Sequence, residues 1–378
     1  MKIIHAGAVN VKSGGPALST WLSIKGLQEA GNIVELISPP IAKSDKIINE
    51  ALSPIYTNKP ILRKINYVTN INNILDNIGK ADIYHIQGLW QLNGWQVAQY
   101  ARKHNKPYVV TLRGMLYPQA LAHHSWIKKA SLMLYQRKML RDAAVVQCTC
   151  QEELEHFRAL GLKTPVALIP NPIETENIIN KPIPPKSVFT IGYLGRLHPR
   201  KRIERLIYAM HDLRNHLPKN STLKIIGGGD LKYRNFLKSE ISRLNLRNVE
   251  ITGFLTGEEK NNAIKALSVL VVPSDFENFG NVVTEALVRG VPVIASKGTP
   301  WQALITNNCG WWIENSQTEI NKAILESFKI GDSTRTEMGK AGRQLIQNNY
   351  SVSMLGRKMI EVYKWIIDGG QKPDCIYI

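Results

Sequence analysis

The chain of 378 residues is short of cysteine, has no long apolar run, and over one stretch has no acidic residue at all. Its four cysteines, Cys148, Cys150, Cys309 and Cys375, form no C-x-x-C spacing, which excludes a disulfide framework and fits a reducing cytoplasm. The longest apolar runs, such as ALSVLVVP at Ala266 to Pro273, fall far short of the about 20 residues a membrane span needs. If a membrane matters, the protein is expected to lie on it. The opening MKIIHAGAVN reads as a strand from its start, so no signal peptide is expected. There is no D-x-D pair to hold a metal, no short internal repeat and no low-complexity tract.

Acid is missing where base is plentiful. Lys and Arg total 48 against 30 Asp and Glu, a net charge of +18, which draws a protein to polyanions: nucleic acid, an anionic membrane face or phosphorylated ligands. Between Asp82 and Asp142 stand nine basic residues and no acid: Arg102, Lys103, Lys106, Arg113, Lys128, Lys129, Arg137, Lys138 and Arg141. They are interleaved with apolar positions rather than gathered in a tail. A positively charged face on a folded domain accounts for the set; for any one of them, a solvated helix surface does as well.

Short apolar strands alternate with helical patterns along the whole chain. KIIHAGA, NIVELIS, DIYHIQG, PYVVTLR, AAVVQCT and VALIP read as strands, with helices at 17–30, 91–104, 126–141 and 151–160. Residues 170–187 carry five prolines and little periodicity, the composition of a linker. Beyond it VFTIGYLG, TLKIIGGG, VEITGFL, VLVVPS, VPVIAS and GWWIE read as strands, with helices at 203–214, 230–244, 334–348 and 352–367. The expected fold class is therefore α/β, with two doubly wound Rossmann-like domains facing a central cleft that holds a ligand at the carboxyl ends of the strands.

Four stretches carry chemistry. After the first strand, Gly14 and Gly15 precede a helix whose free amides can face an anion, although the loop is too long for the dinucleotide pattern G-x-G-x-x-G and a plain turn explains it equally. In YLGRLHPRKRIERLI, Arg196 and Lys201 flank a loop between strand and helix, where two cations can neutralise a diphosphate. IIGGGD, residues 225–230, reads as a tight turn with Asp230 as helix cap. In SDFENFGNVVTEALVRGVPVIAS, Glu277 falls just past a buried strand and Glu285 in the second turn of a helix starting near Gly280. The amides of Asn278, Phe279, Gly280 and Asn281 lie between. Each carboxylate has two acceptor oxygens and suits a pair of hydroxyls, so the two glutamates are spaced to straddle a pyrophosphate. An acidic first turn favoured by the helix dipole accounts for one glutamate but less well for both.

This last run, with Phe279-Gly280 between glutamates eight positions apart and EALVRGVPVIAS after it, resembles the signature of glycosyltransferase family 4, retaining nucleotide-sugar enzymes of GT-B fold. GYLGRLHPRK, LIPNPIE, ITGFL and the early Gly-Gly turn occur in the family's order, and the resemblance covers nearly the whole chain. TLRGML, GTPW and NNCGWW are similar to members that build bacterial surface polysaccharides (O-antigen, capsule or exopolysaccharide). The resemblance implies an acceptor-binding domain at 1–175 and a nucleotide-sugar domain at 186–350, with the C-terminal helix at 352–378 crossing back to the first. Arg196 and Lys201 would bind the donor diphosphate, Gly14 and Gly15 would approach it, Glu277 would meet the transferred sugar, and Glu285 the ribose. The amides of residues 278–281 would hold sugar and phosphate, and the base would lie near Phe254 and Leu255. Relatives often carry two histidines, two apart, in the strand DIYHIQGLW; this chain has His85 and then Gln87, so the polar group facing the sugar is one of these two.

A retaining, metal-independent front-face transfer follows from the resemblance, with no cofactor beyond the nucleotide-sugar donor, a UDP-sugar by preference, and a glycan or lipid-linked acceptor. Arg113, Lys128, Lys129, Arg137 and Lys138 are expected on a membrane or acceptor face, and the amphipathic stretch WIKKASLMLYQRKMLR is expected to attach the protein peripherally to an anionic membrane surface at the inner face of the cytoplasmic membrane. A helix packed in the sheet sandwich covers its apolar side equally well. A nucleic-acid binder would explain the charge, but no recognition motif is present. A nucleotide-sugar epimerase of GT-B fold and a glycosyltransferase with a soluble acceptor remain the alternatives.

Overall fold

The computed structural model describes residues 1–9, 15–39, 55–57, 66–122, 125–176 and 178–378. Gly14 lies outside them. The chain forms two compact units, one made of residues 1–173 and 350–378 and the other of residues 174–349.

Unit 1 begins with β1 (Lys2–Ala6), α1 (Gly15–Glu29), β2 (Ile33–Ser38), β3 (Ile55–Thr57), α2 (Ile71–Ile78), β4 (Ile83–Gln87), α3 (Leu92–Lys103) and β5 (Tyr108–Thr111). It continues through α4 (Pro118–Ala122), α5 (Ser125–Ser131), α6 (Arg137–Arg141), β6 (Val145–Cys148), α7 (Gln151–Arg158) and β7 (Val166–Leu168). Unit 2 runs β8 (Thr190–Leu194), α8 (Glu204–Asp212), β9 (Thr222–Ile226), α9 (Leu231–Arg243), β10 (Val249–Gly253), α10 (Gly257–Lys265) and β11 (Val269–Val272). It ends with α11 (Asn281–Leu287), β12 (Val293–Ser296), α12 (Ala303–Thr306), β13 (Gly310–Ile313), α13 (Gln317–Lys329) and α14 (Gly331–Asn349). The chain then re-enters unit 1 with α15 (Val352–Asp368) and β14 (Ile376–Tyr377).

Among the described residues, unit 1 has an eight-stranded sheet in the order β14-β7-β6-β5-β4-β1-β2-β3, and unit 2 a six-stranded sheet in the order β10-β9-β8-β11-β12-β13. All neighbours are parallel except β14, which pairs antiparallel with β7. Parallel strands are covered on both faces and so read as unbroken apolar runs. Along β5, Tyr108 and Val110 join the core on one face while Val109 joins the other, the period-two alternation a strand dictates. On that second face α15 supplies Leu355, Met359, Val362 and Tyr363. It lies close on α1 because both helices are glycine at the contact: a Cβ on Gly26 would sit 2.6 Å from Val352 O, and one on Gly356 would sit 2.5 Å from Gly26 O.

One expected helix is divided. Residues 126–141 contain α5, a π-helical turn at Leu132–Gln136 in which Arg137 N–H bonds to Leu132 O, and α6. The extra residue of a π turn shifts the helix face. It brings Gln136 into full burial, while Met133 and Leu134 point into solvent.

Candidate functional site

In unit 2 the chemistry gathers at the carboxyl ends of β8 and β11. Past β8, His198 opens a 3₁₀ turn at Pro199–Lys201, its Nδ1 accepting from Arg200 N–H at 3.3 Å. Arg202 then takes a left-handed conformation (φ 50°), and its Nε donates to Asp275 Oδ2 at 2.7 Å. Asp275 N–H in turn donates to Arg200 O at 2.9 Å, so the turn after β8 is tied to the loop after β11. This brings Lys201 onto Glu277: Lys201 Nζ donates to Glu277 Oε1, and Ser274 Oγ donates to the same oxygen at 2.9 Å. The two side chains are only 13% and 12% exposed. Burial pulls the Lys201 pKa down and the Glu277 carboxylate pushes it back up.

Arg196 is exposed in the same turn, and Arg200 lies over the Phe276 ring at 4.9 Å. Both guanidinium groups further disfavour the charged form of Lys201, which shows how densely positive this strand end is. The glycines of IIGGGD hold the Arg196 loop in place. A Cβ on Gly227 would sit 1.8 Å from Gly195 O and one on Gly229 would sit 2.4 Å from Leu197 O. Leu197 N–H donates to Gly228 O at 2.9 Å, and Asp230 caps α9 by accepting from Tyr233 N–H at 2.8 Å. The glycines thus serve close backbone packing.

Gly280 precedes α11 in a left-handed conformation (φ 79°). The loop through Asn278, Phe279 and Asn281 is held by buried Trp301, whose Nε1–H donates to Phe279 O at 2.5 Å. Glu285 is buried on α11 and forms an ion pair with Lys260 of α10. Arg289 donates to Glu285 O at 2.7 Å and to the Asn261 side chain. Each glutamate of the pair therefore has a lysine of its own. Lys260 carries no signal in the sequence, its partner being set by how α10 packs against α11, whereas Ser274 meets Glu277 locally, three residues away in the loop after β11. Phe254, just past β10, is 71% exposed.

In unit 1, His85 is not an open group. Its Nδ1 meets Tyr363 OH at 2.5 Å and its Nε2 meets Thr111 Oγ1 at 2.6 Å, with the ring fully buried. Thr111 O–H donates onward to Gln147 Oε1 at 2.8 Å, and Gln147 Nε2–H to Ile169 O at 2.9 Å. Thr111 can then only accept from His85, so His85 carries its proton on Nε2 and accepts from Tyr363 on Nδ1. Burial, then His5 and Arg113, lowers the His85 pKa well below the ordinary value. His85 anchors α15 to the sheet.

Gln87 is also committed. Its Oε1 accepts from Arg113 Nε (3.2 Å) and Nη2 (2.7 Å), and its Nε2–H donates to His5 Nδ1 at 3.3 Å. His5 lies 4.6 Å from His85 between ring centres; burial and Arg113 push its pKa down to about 3. Arg113 Nη1 donates to Asn171 Oδ1. Of the residues expected on a membrane or acceptor face, Arg113 is thus set apart from Lys128, Lys129, Arg137 and Lys138 by its bonds at the strand ends. It follows β5 in a left-handed conformation (φ 57°), which turns its guanidinium back over the strand ends.

The other basic residues of that set do lie on a surface. Lys129, Arg137 and Lys138 are exposed, while Lys128 is half-buried, donates to Ala120 O and lies over the Trp90 ring at 5.6 Å. Arg137 donates to Leu160 O at 2.6 Å. Beside them Trp126 (74% exposed), Met133 (83%) and Leu134 (79%) face solvent. Among the described residues no helix is long and apolar enough to cross a membrane. Gly15 opens α1 and is exposed.

Two doubly wound parallel-sheet units, one with a buried Lys–Glu pair in a cationic strand-end turn, are those of a GT-B glycosyltransferase. Residues 174–345 match the family described as Glycosyl transferases group 1, and residues 13–177 that described as Glycosyltransferase Family 4. The chain belongs to glycosyltransferase family 4. Among curated proteins it is 29% identical over 177 residues to the uncharacterized glycosyltransferase MJ1607 of Methanocaldococcus jannaschii, covering 46% of this chain and 44% of that protein. It is 24% identical over 176 residues to the capsular polysaccharide biosynthesis glycosyltransferase CapM of Staphylococcus aureus, covering 46% of each. The match thus spans under half of either relative's length. Among solved structures, sucrose-phosphate synthase from Thermosynechococcus elongatus superimposes with a TM-score of 0.77 at 21% identity, covering 98% of this chain and 100% of that one. Anabaena Alr3699/HepE in complex with UDP superimposes with a TM-score of 0.73 at 19% identity, covering 96% and 99%.

Proposed function

We propose that the protein is a retaining glycosyltransferase that moves a sugar from a UDP-sugar to a lipid-linked glycan acceptor in surface-polysaccharide biosynthesis. The observation that carries the reading is the Lys201–Glu277 pair beneath Arg196 and Arg200. The cations match a diphosphate, and a carboxylate with two acceptor oxygens matches sugar hydroxyls. The HepE complexes with UDP and UDP-glucose and the capsular role in the name of CapM support donor and pathway class.

In the step proposed, the acceptor hydroxyl oxygen bonds to the anomeric carbon on the face the diphosphate leaves. The carbon–oxygen bond to the diphosphate breaks, and the hydroxyl proton passes to the departing phosphate oxygen. The protein's part is to position the reactants and to stabilise charge on the leaving group through Arg196, Arg200 and Lys201. With that charge supplied by side chains, transfer is expected to proceed without a divalent metal, and activity should survive EDTA. The reaction is tested with a nucleotide-sugar panel read by nucleotide release, with and without a lipid-linked glycan. Release that needs the acceptor is the expected result; conversion of a UDP-sugar alone into its epimer, with no nucleotide released, would instead indicate an epimerase.

The site of work proposed is the inner face of the cytoplasmic membrane. Trp126, Met133 and Leu134 stand exposed beside Lys129, Arg137 and Lys138, the combination that inserts apolar side chains among anionic headgroups. Replacing Lys128, Lys129, Arg137 and Lys138 together should weaken binding to phosphatidylglycerol vesicles by up to about a thousandfold, at about 1 kcal/mol per charge near the surface. Unchanged sedimentation with vesicles would refute the attachment.

A further inference from the structure

Arg113 is a cation withdrawn from water with no carboxylate bonded to it. Its partners are two neutral side-chain oxygens, Gln87 Oε1 and Asn171 Oδ1. Three of its five N–H groups are used in these bonds, so two remain. The acid that faces it, Glu153, is fully buried and already engaged: its oxygens accept from Gly114 N–H, Thr149 N–H (2.7 Å) and Thr149 Oγ (2.9 Å). Among the described residues Arg113 forms no ion pair, whereas Lys201 and Lys260 each do. Burial accordingly lowers its pKa to about 10, with Glu153 offsetting only part.

A buried charge held by amides alone is costly, and a folded protein keeps one where something else completes it. The clamp is also well placed. Gln87 ends β4, Arg113 follows β5 and Asn171 follows β7, all at the carboxyl edge of a parallel sheet, where such sheets receive ligands. Arg113 as a whole keeps some exposure, while its guanidinium is largely withdrawn from water. The donor's phosphates already have Arg196, Arg200 and Lys201 in the other unit.

We propose that Arg113, clamped by Gln87 and Asn171, is the receptor for a phosphate group carried by the acceptor. This rests on the transferase reading and names the acceptor's chemical class: a phosphate or diphosphate ester rather than a neutral glycan. Gln87 acts as a positioning residue. Its amide gives the guanidinium an acceptor without neutralising it, which a carboxylate at the same place would do.

The test uses the full chain, saturated with UDP so that the nucleotide site is filled, and titrates farnesyl diphosphate with farnesol as the phosphate-free control. The wild type should bind farnesyl diphosphate more tightly than farnesol. Arg113→Gln should weaken the diphosphate, and not farnesol, by about tenfold or more, the scale of a lost charge-assisted hydrogen bond. Gln87→Glu, which keeps Arg113 but gives it an internal counterion, should weaken it comparably and stands in if Arg113→Gln fails to fold. Equal affinity of the wild type for diphosphate and alcohol, or undiminished diphosphate affinity in the variants, overturns the proposal. So does a parallel fall in UDP affinity in Arg113→Gln, which would assign the residue to the donor. Failure of the wild type to bind UDP at all would count against the nucleotide-sugar reading instead.

Discussion

Lys201 in unit 2 and Arg113 in unit 1 are both cations drawn out of water beside the carboxyl ends of parallel strands, and they are compensated in opposite ways. Lys201 has a carboxylate, Glu277, on its ammonium; Arg113 has two amides. A paired cation is stable at rest, and a ligand phosphate must displace or share its partner. A cation held by neutral groups keeps its full charge, and an anion that reaches it meets no internal carboxylate to displace. Position at a strand end thus does not by itself tell how a positive group will behave; the identity of the atom opposite does.

The largest effect expected from breaking this comparison is at the paired site. Lys201→Ala and Glu277→Ala should each lower kcat/KM for transfer by about a hundredfold or more, the scale of a lost preorganised charge at a leaving group, with the melting curve still cooperative. Full activity in either would remove the pair from the reaction. Next comes acid. His5 is held neutral, its pKa lowered to about 3 by burial and by Arg113, with neutral His85 against it. The unfolded chain binds a proton near pH 6.5 that the folded one refuses, so this contribution to stability is present above pH 6.5 and is lost as pH falls from there towards 3. The protection factors of amides in β1 and β4, corrected for the intrinsic exchange rate at each pH, should fall over that window by more than those in β11, and His5→Asn should blunt the difference.

A smaller effect tests the scaffold of the cationic turn. Gly227→Ala should cost about 1–3 kcal/mol, because its methyl would strike Gly195 O, and a calorimetric melt reads this directly. The subtlest sharpens the comparison itself. Glu277→Gln should leave UDP affinity unchanged or a few-fold tighter while transfer falls, since it turns Lys201 into the amide-held kind of cation that Arg113 already is. Markedly weaker UDP binding would show that Glu277 organises the phosphate site rather than competing for it.

The alternating fold was legible because parallel strands buried on both faces, such as VLVV in β11, announce themselves as apolar runs between turn residues. β14 was not: two residues at a sheet edge carry no periodicity, and only pairing with β7 makes them a strand. The division of residues 126–141 escaped for a related reason, since a π turn breaks no local preference. At the site, Arg196, Lys201, Glu277 and Glu285 could be picked out because strand ends followed by charged turns are visible in sequence. Lys260 could not, being a partner of Glu285 only through the packing of α10. Arg113 could be grouped with the membrane or acceptor face but not told apart from its neighbours there, because counting charges ignores backbone direction. One left-handed residue after β5 sends its side chain inward. His85 and Gln87 were rightly seen as polar groups at the end of β4, but each is spent inside the unit, on Tyr363 and Thr111 and on Arg113 and His5.

The return of the chain into unit 1 carries a consequence in time. The face of the sheet that His85 shares with Tyr363 is covered only in part, by α1, until α15 exists, and β7 lacks its outer neighbour until β14 does. Unit 2 is continuous in sequence and can close as soon as residue 349 has left the ribosome, whereas unit 1, whose synthesis starts first, must wait for residues 350–378 with part of one apolar face uncovered. In a cell making this protein the second-made half is thus the first able to finish, and the nascent first half is the one with most need of a chaperone.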